Sequence, residues 1–246
     1  MRFMSSILSL DAVSKRYGAF EAVKDLSFSV QKGAIVGFLG PNGAGKTSTI
    51  RMILGLAAPT TGRIEVLGAD DGRKVRDRIG FLPEERGLYR KMNPVDAVAY
   101  MAALKGLPMA EGRRRARALL EEQGLGEALK RPMKALSKGM AQKVQLVSAI
   151  AHRPELVILD EPFSGLDPVN QQGLERMIRD LADQGATVLF STHVMQHAER
   201  LCQKVVLMAR GAKVFEGPVA EARAAAPRFL VLEGGLDQAA IQALPG

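Results

Sequence analysis

Residues Gly40-Pro41-Asn42-Gly43-Ala44-Gly45-Lys46-Thr47 satisfy the pattern G-x-x-x-x-G-K-[ST] at every fixed position. Glycines at that spacing let backbone N–H groups turn inward around phosphate oxygens, and a helix starting there adds the positive end of its dipole. Lys46 would then reach the β- and γ-phosphates and the Thr47 hydroxyl a Mg²⁺ ion, with Ser48 grouped among the nucleotide-binding positions. A second constellation is Asp160-Glu161, which closes the apolar run Leu156-Val157-Ile158-Leu159. Carboxylates at the C-terminal end of a buried parallel strand stand in the crevice where α/β sheets bind ligands. There Asp160 would hold Mg²⁺ beside Thr47, and Glu161 would orient and deprotonate the water that attacks the γ-phosphorus. His193 follows the strand ending Phe190-Ser191-Thr192, on the same rim, where its imidazole could bond a γ-phosphate oxygen; a capping or surface histidine is the bland alternative. His152 and His197 have no comparable placement and are taken as structural. No His/Cys/Asp spacing suggests a transition-metal site.

These residues need strands and helices to position them. Ala34 to Leu39 is a short apolar run of buried-strand type, and Thr49 to Leu56 begins a helix with one apolar face. From Ser5 to Val30 the alternation of Ile7, Leu8, Leu10, Leu26, Phe28 and Val30 with polar residues predicts a half-exposed sheet. Between its runs lies Lys15-Arg16-Tyr17-Gly18; the Tyr17 ring either stacks on a nucleobase or packs at the surface. Arg63–Leu67 and Ile79–Leu82 are further strands. Asn93-Pro94 starts a helix over Val95–Lys105, Ala110–Gln123 is a second, and a third runs from about Gly139 to His152. Strand and helix then alternate: Leu156–Asp160, Pro168–Asp183, Ala186–Phe190, Met195–Leu201 and Lys204–Met208. This alternation implies a parallel sheet covered on both faces, interrupted by a helical insertion. Lys213–Gly217 and Arg228–Glu233 are short strands and Leu236–Leu244 a weak helix.

The chain of 246 residues can bury a core without disulfides, and its 47% hydrophobic and 24% charged residues suit a globular protein. The lone Cys202 excludes an internal disulfide framework, fits a reducing compartment, and is expected to be inert. No apolar run nears the roughly 18 residues of a membrane span, and the N-terminus lacks a signal-peptide core, so the protein is expected inside the cell. A net charge of +8 favours anionic partners without choosing one. The densest basic run, Arg113-Arg114-Arg115-Ala116-Arg117, is weighed chiefly as a solvated helix face, with a polyanion contact as the alternative.

Together these residues resemble the ATP-binding cassette family. Tyr17 is similar to its adenine-stacking aromatic, Gly40–Thr47 to its Walker A loop, and Leu156–Glu161 to its Walker B strand and catalytic glutamate. Ser164-Gly165-Leu166-Asp167 resembles the D-loop, Ser191-Thr192-His193 the switch histidine, and Leu136-Ser137-Lys138-Gly139-Met140 the signature. The resemblance spans about residues 7–217. It implies a P-loop NTPase (RecA-like) α/β core with an antiparallel β edge and an inserted helical subdomain. The expected division is a nucleotide-binding core over 5–83 and 154–218, a signature subdomain over 84–153, and the start of a truncated C-terminal accessory domain over 219–246.

What the resemblance further implies is ATP and Mg²⁺ as ligands and a head-to-tail dimer of cassettes, identical or not. In that dimer Ser137 and Gly139 of one chain close on nucleotide held by the other, and Asp167 of the D-loop is grouped with the nucleotide-binding positions. Two departures bear on this. Leu82-Pro83-Glu84-Glu85 puts Glu84 where the family usually has glutamine, so it could offer Mg²⁺ an oxygen but no amide donor; Lys138 and Met140 replace a signature glycine and glutamine. The stretch Phe81–Tyr89 with Leu136–Met140 looks like a bacterial exporter branch related to sodium- and drug-export subunits. The implied function is an ATP-hydrolysing subunit of a membrane exporter, cytoplasmic and peripheral on the inner face of the membrane, partnered by transmembrane permease subunits and by no nucleic acid. The competing readings are a soluble cassette ATPase acting on nucleic acid or ribosomes, and a nucleotide-binding regulator without turnover.

Overall fold

Ile35–Leu39 forms β3, the strand that delivers the glycine-rich loop, and every residue of it is buried. A computed structural model of the chain describes residues 6–85, 87 and 89–224. The strand expected at 228–233 and the helix expected at 236–244 lie outside the described residues. Within them, β3 is central to a six-stranded sheet that also holds β5 (Ile79–Leu82), β6 (Leu156–Leu159), β7 (Thr187–Thr192), β8 (Lys204–Ala209) and β9 (Ala212–Pro218). The spatial order is β5-β6-β7-β3-β8-β9, parallel except for the β8–β9 hairpin. A three-stranded antiparallel sheet of β1 (Ser6–Tyr17), β2 (Phe20–Gln31) and β4 (Thr61–Val66) stands beside it, in the order β2-β1-β4.

Alternation along β6 explains the layering. Leu156 and Ile158 enter one core with the antiparallel sheet and helix α1 (Lys46–Ile53), whereas Val157 and Leu159 enter the other, under the helices. Those helices are α2 (Pro94–Ala103), α3 (Met109–Glu122) and α4 (Lys138–Ile150), all between β5 and β6, together with α5 (Pro168–Asp183). The Asn93 side chain accepts the Asp96 N–H, which with Pro94 at the first helical position fixes the start of α2. Gly112 lets α3 approach α2 closely: a Cβ there would stand 3.2 Å from the Ala99 Cα. The short helices α6 (Met195–Leu201) and α7 (Val219–Ala224) complete the described chain.

Several boundaries differ from the sequence expectation. Helix α1 begins at Lys46 rather than Thr49, because the left-handed backbone of Gly45 already turns the chain into it. Lys15–Tyr17 lies inside β1, which pairs with β2 out to Tyr17↔Phe20. β7 runs two residues past Phe190 because its parallel pairing with β3 continues to Leu39↔Thr192. Gly72–Arg78 is a 3₁₀ segment that apolar periodicity does not reveal; the Asp71 side chain caps it by accepting the Arg73 N–H.

Candidate nucleotide site

The loop after β3, the carboxylates after β6 and the histidine after β7 all emerge at the C-terminal ends of adjacent parallel strands. Gly45, the N-cap of α1, has φ 101°, and no side chain caps the helix. The Thr49 N–H donates to the Gly45 carbonyl at 2.9 Å. The N–H groups of Lys46, Thr47 and Ser48 therefore precede any intrahelical acceptor and join the positive end of the dipole. A Cβ at Gly45 would stand 2.5 Å from the Ala22 carbonyl oxygen of β2, so backbone conformation and close approach both demand glycine. The root of the loop is pinned by the Gly40 N–H, which donates to the Thr192 carbonyl of β7 at 3.3 Å. A cleft of about 490 Å³ opens there, lined by Pro41, Asn42 and His193 among others.

Lys46 is 6% exposed and folds back over its own loop, donating to the Gly40 carbonyl at 2.7 Å and to the Pro41 carbonyl at 3.3 Å. Its ammonium also stands 3.3 Å from Glu161 Oε1. That ion pair lacks hydrogen-bond alignment, so Oε1 is a buried oxygen without a donor among the described residues. The other oxygen, Oε2, lies 3.0 Å from His193 Nδ1, and since a carboxylate oxygen only accepts, Nδ1–H is the donor of that contact. Glu161 holds a left-handed backbone, φ 46°, an uncommon state for a residue with a Cβ. Asp160 is 3% exposed, and its N–H still donates to the Leu82 carbonyl of β5 at 2.8 Å.

Lys46, Asp160, Glu161 and His193 are thus brought together with the Gly40–Ser48 loop. Glu84 is exposed just beyond β5, the edge strand beside β6. Tyr17 is 46% exposed at the tip of the β1–β2 hairpin, with the Lys15 ammonium 5.1 Å from its ring centroid. A few residues along β2, Ala22 abuts the loop at Gly45.

Ser137, Gly139 and Asp167 form a separate group. Ser137 caps α4, its hydroxyl accepting the Met140 N–H at 3.2 Å. Asp167 caps α5, accepting the Val169 and Asn170 N–H groups at 3.1 and 3.0 Å and the Asn170 side chain at 2.6 Å. Those bonds, led by the Asn170 N–H, hold its carboxyl below the usual carboxylate range. Gly139 packs on Asn170, so the two helix starts abut. Among the described residues no hydrogen bond or ion pair joins this group to Lys46, Asp160, Glu161 or His193.

Three participants have roles that no motif assigns them. Ser191 bridges the two carboxylate residues, as developed below. Gln142 of α4 is buried and donates to the Pro162 carbonyl at 3.0 Å, tying the signature helix to the turn after Glu161. His197 is buried and stacks on Phe163, 4.0 Å between centroids, beside the buried Glu175; burial lowers its pKa. The Cys202 thiol is pushed up to about 12 by burial, in keeping with an inert residue.

As to metals, no three His, Cys, Asp or Glu side chains converge into a cage among the described residues. Thr47 and Asp160 instead offer two hard oxygens, the kind of partial donor set Mg²⁺ takes when phosphates and water complete its shell. The glycine cradle with its free N–H groups fits a phosphate-bearing ligand, and the donorless Oε1 of Glu161 fits an O–H donor such as water beside it. No helix of the described chain is long and apolar enough to cross a membrane.

Known proteins resemble this chain over most of its length. A family model described as ABC transporter matches residues 23–164. An uncharacterised ABC transporter ATP-binding protein of Bacillus subtilis, YhaQ, is 42% identical over 215 residues, covering 87% of this chain and 72% of the relative. The Nod factor export ATP-binding protein I of Ralstonia nicotianae is 36% identical over 214 residues, covering 86% and 67%. Among solved structures, one described as the ATP binding subunit of an ABC transporter is similar with a TM-score of 0.81 and 35% identity, covering 89% of this chain and 92% of that one.

Proposed function

The chain belongs to the ABC transporter ATP-binding proteins, a family that hydrolyses ATP, and from that premise we propose that it powers a membrane exporter. The observation that carries the catalytic part of this reading is the Lys46–Glu161–His193 contact, set at the strand ends beside a glycine loop. In it the loop N–H groups and Lys46 bind the phosphates of ATP, while Thr47 and Asp160 hold Mg²⁺. The metal, when bound, neutralises charge across the β- and γ-phosphates. Glu161 Oε1 takes the proton of the attacking water, and His193 keeps the carboxylate turned to that task through Oε2. Tyr17 carries the adenine ring, and Glu84, exposed just beyond β5, would offer the metal an oxygen.

A second cassette supplies the remaining donors. Ser137 and the Gly139 N–H sit at a helix start, a natural phosphate donor, yet make no contact with their own chain's Lys46 or Glu161. ATP therefore closes two cassettes head to tail and hydrolysis reopens them, with the coupled motion passed to transmembrane subunits. The export direction rests on relatives such as the Nod factor export protein.

The test is to purify tagged Glu161→Gln protein from native membranes with ATP and Mg²⁺ present. Recovery with a polytopic membrane protein is expected. Recovery with ribosomes or nucleic acid, and no membrane protein, would replace this reading with that of a soluble cassette ATPase.

A further inference from the structure

We infer that Ser191 is a positioning residue that sets both carboxylates of the site, one through its side chain and the other through its backbone. The inference rests on the ATP and Mg²⁺ reading above and adds to it a role for the serine that opens the Ser191-Thr192-His193 stretch, which the histidine reading leaves without one. Ser191 is the next-to-last residue of β7, paired with Phe38 of β3, and is 0% exposed. Its hydroxyl donates to Asp160 Oδ1 at 2.5 Å and accepts the Glu161 N–H at 2.8 Å. A serine oxygen carries one hydrogen, and the Glu161 N–H can only donate. The direction of the chain is therefore fixed: Glu161 N–H to Oγ, then Oγ–H to Oδ1.

Two consequences follow. Oδ1 of Asp160 accepts from the protein, so Oδ2 is the oxygen that would hold a metal ion when one is bound. A hydroxyl that orients a ligating carboxylate in this way acts as other outer-shell partners of metal sites do. The second consequence concerns Glu161, whose left-handed backbone leaves the β6–β7 ladder after Leu159↔Phe190. Its buried N–H has left the main-chain acceptors of the sheet, and Ser191 Oγ takes the place of a carbonyl. The carboxylate thus reaches Lys46 and His193 from a backbone that one hydroxyl holds. β7 then serves as a common ruler: Ser191 holds the carboxylates, the Thr192 carbonyl holds Gly40, and His193 holds Glu161 Oε2.

The test uses the full chain and a fluorescent N-methylanthraniloyl derivative of ATP as the probe, titrated with and without Mg²⁺. Ser191→Ala should need about tenfold or more Mg²⁺ for half-maximal metal-dependent binding and for hydrolysis, with metal-free probe binding unchanged. Ser191→Thr, which keeps the hydroxyl on a β-branched frame suited to a strand, should restore the wild-type Mg²⁺ curve. If Ser191→Ala yields no folded protein, Ser191→Cys, close in size and a weak donor, carries the same comparison. Coincident Mg²⁺ curves for Ser191→Ala and wild type overturn the inference alone, as does a Thr variant no better than Ala. Wild-type protein that binds no probe overturns the nucleotide reading, and this inference with it.

Discussion

Residues 84–153, the helical insertion, carry 14 Lys/Arg and 7 Asp/Glu, whereas the other 176 residues carry 20 and 19. Nearly the whole net charge of +8 therefore sits on the insertion, while the nucleotide-facing remainder is close to neutral. The two regions also use charge differently. At the nucleotide site the charged groups are buried and partnered, Lys46 with Glu161 and Asp160 with the Ser191 hydroxyl, although elsewhere in the core pairs such as Lys74 with Asp70 are exposed. In the insertion the arginines Arg113 and Arg114 lie on an exposed face, Arg113 on Asp96 at 2.8 Å and Arg114 on Glu111. Exposed pairs of that kind contribute little to stability, typically below ~1 kcal/mol. A buried, matched charge acts at one point, whereas an exposed surplus acts through solvent on solubility and association rates.

The division is sharpened most by Glu161→Gln. It should slow hydrolysis by about 10²–10⁴, the range for losing a general base, with nucleotide binding kept. Steady-state turnover beside equilibrium binding of the same probe checks it; loss of binding instead would mean that the carboxylate shapes the cradle rather than the chemistry.

The seam between the regions gives the next effect. His152, between α4 and β6, places Nε2 3.2 Å from the Ile79 carbonyl of β5, and burial with the nearby Lys105 cation lowers its pKa to about 4. A histidine with a lowered folded pKa takes up its proton first in the unfolded chain. Stability from its neutral burial is therefore complete above about pH 6.5 and is lost as the pH falls towards 4. Denaturant unfolding should show wild type losing about 1–2 kcal/mol more than His152→Gln between pH 7 and pH 5. Parallel pH profiles for the two proteins would remove His152 from the seam.

Within the insertion, Ser137→Ala removes the cap of α4 and should cost about 1 kcal/mol by thermal or denaturant unfolding. Neutralising the exposed basic face has the smallest expected effect on the isolated chain. Arg114→Ala with Arg117→Ala should leave nucleotide affinity within about twofold and stability within ~0.5 kcal/mol. A large fall in nucleotide affinity there would break the separation of roles.

Much of the core was legible in the sequence because its chemistry is local. A glycine loop between a buried strand and a helix declares itself within eight residues, and so does Asp160-Glu161 at the end of an apolar run. The parallel sheet followed from unbroken runs such as Leu156–Leu159, and the insertion from the proline and asparagine that start α2. What stayed hidden depends on neighbours distant in the chain. Ser191 is an ordinary strand serine until β7 pairs with β6 and places it against Asp160 and the Glu161 N–H, some thirty positions away. Gln142 gains its role only when α4 packs on Pro162. The early start of α1 was missed because apolar periodicity begins at Thr49, whereas the helix is opened by the backbone of Gly45. Nor does composition reveal that Ser137 and Asp167 are occupied as helix caps.

The most direct test of the account compares one substitution from each region, Lys46→Ala in the core and Ser137→Glu in the insertion, by probe binding and by ATP hydrolysis. The account predicts that Lys46→Ala loses both, whereas Ser137→Glu binds nucleotide as wild type does and fails to hydrolyse it. A Ser137→Glu protein that hydrolyses ATP at the wild-type rate, or that loses nucleotide binding as fully as Lys46→Ala, would contradict it.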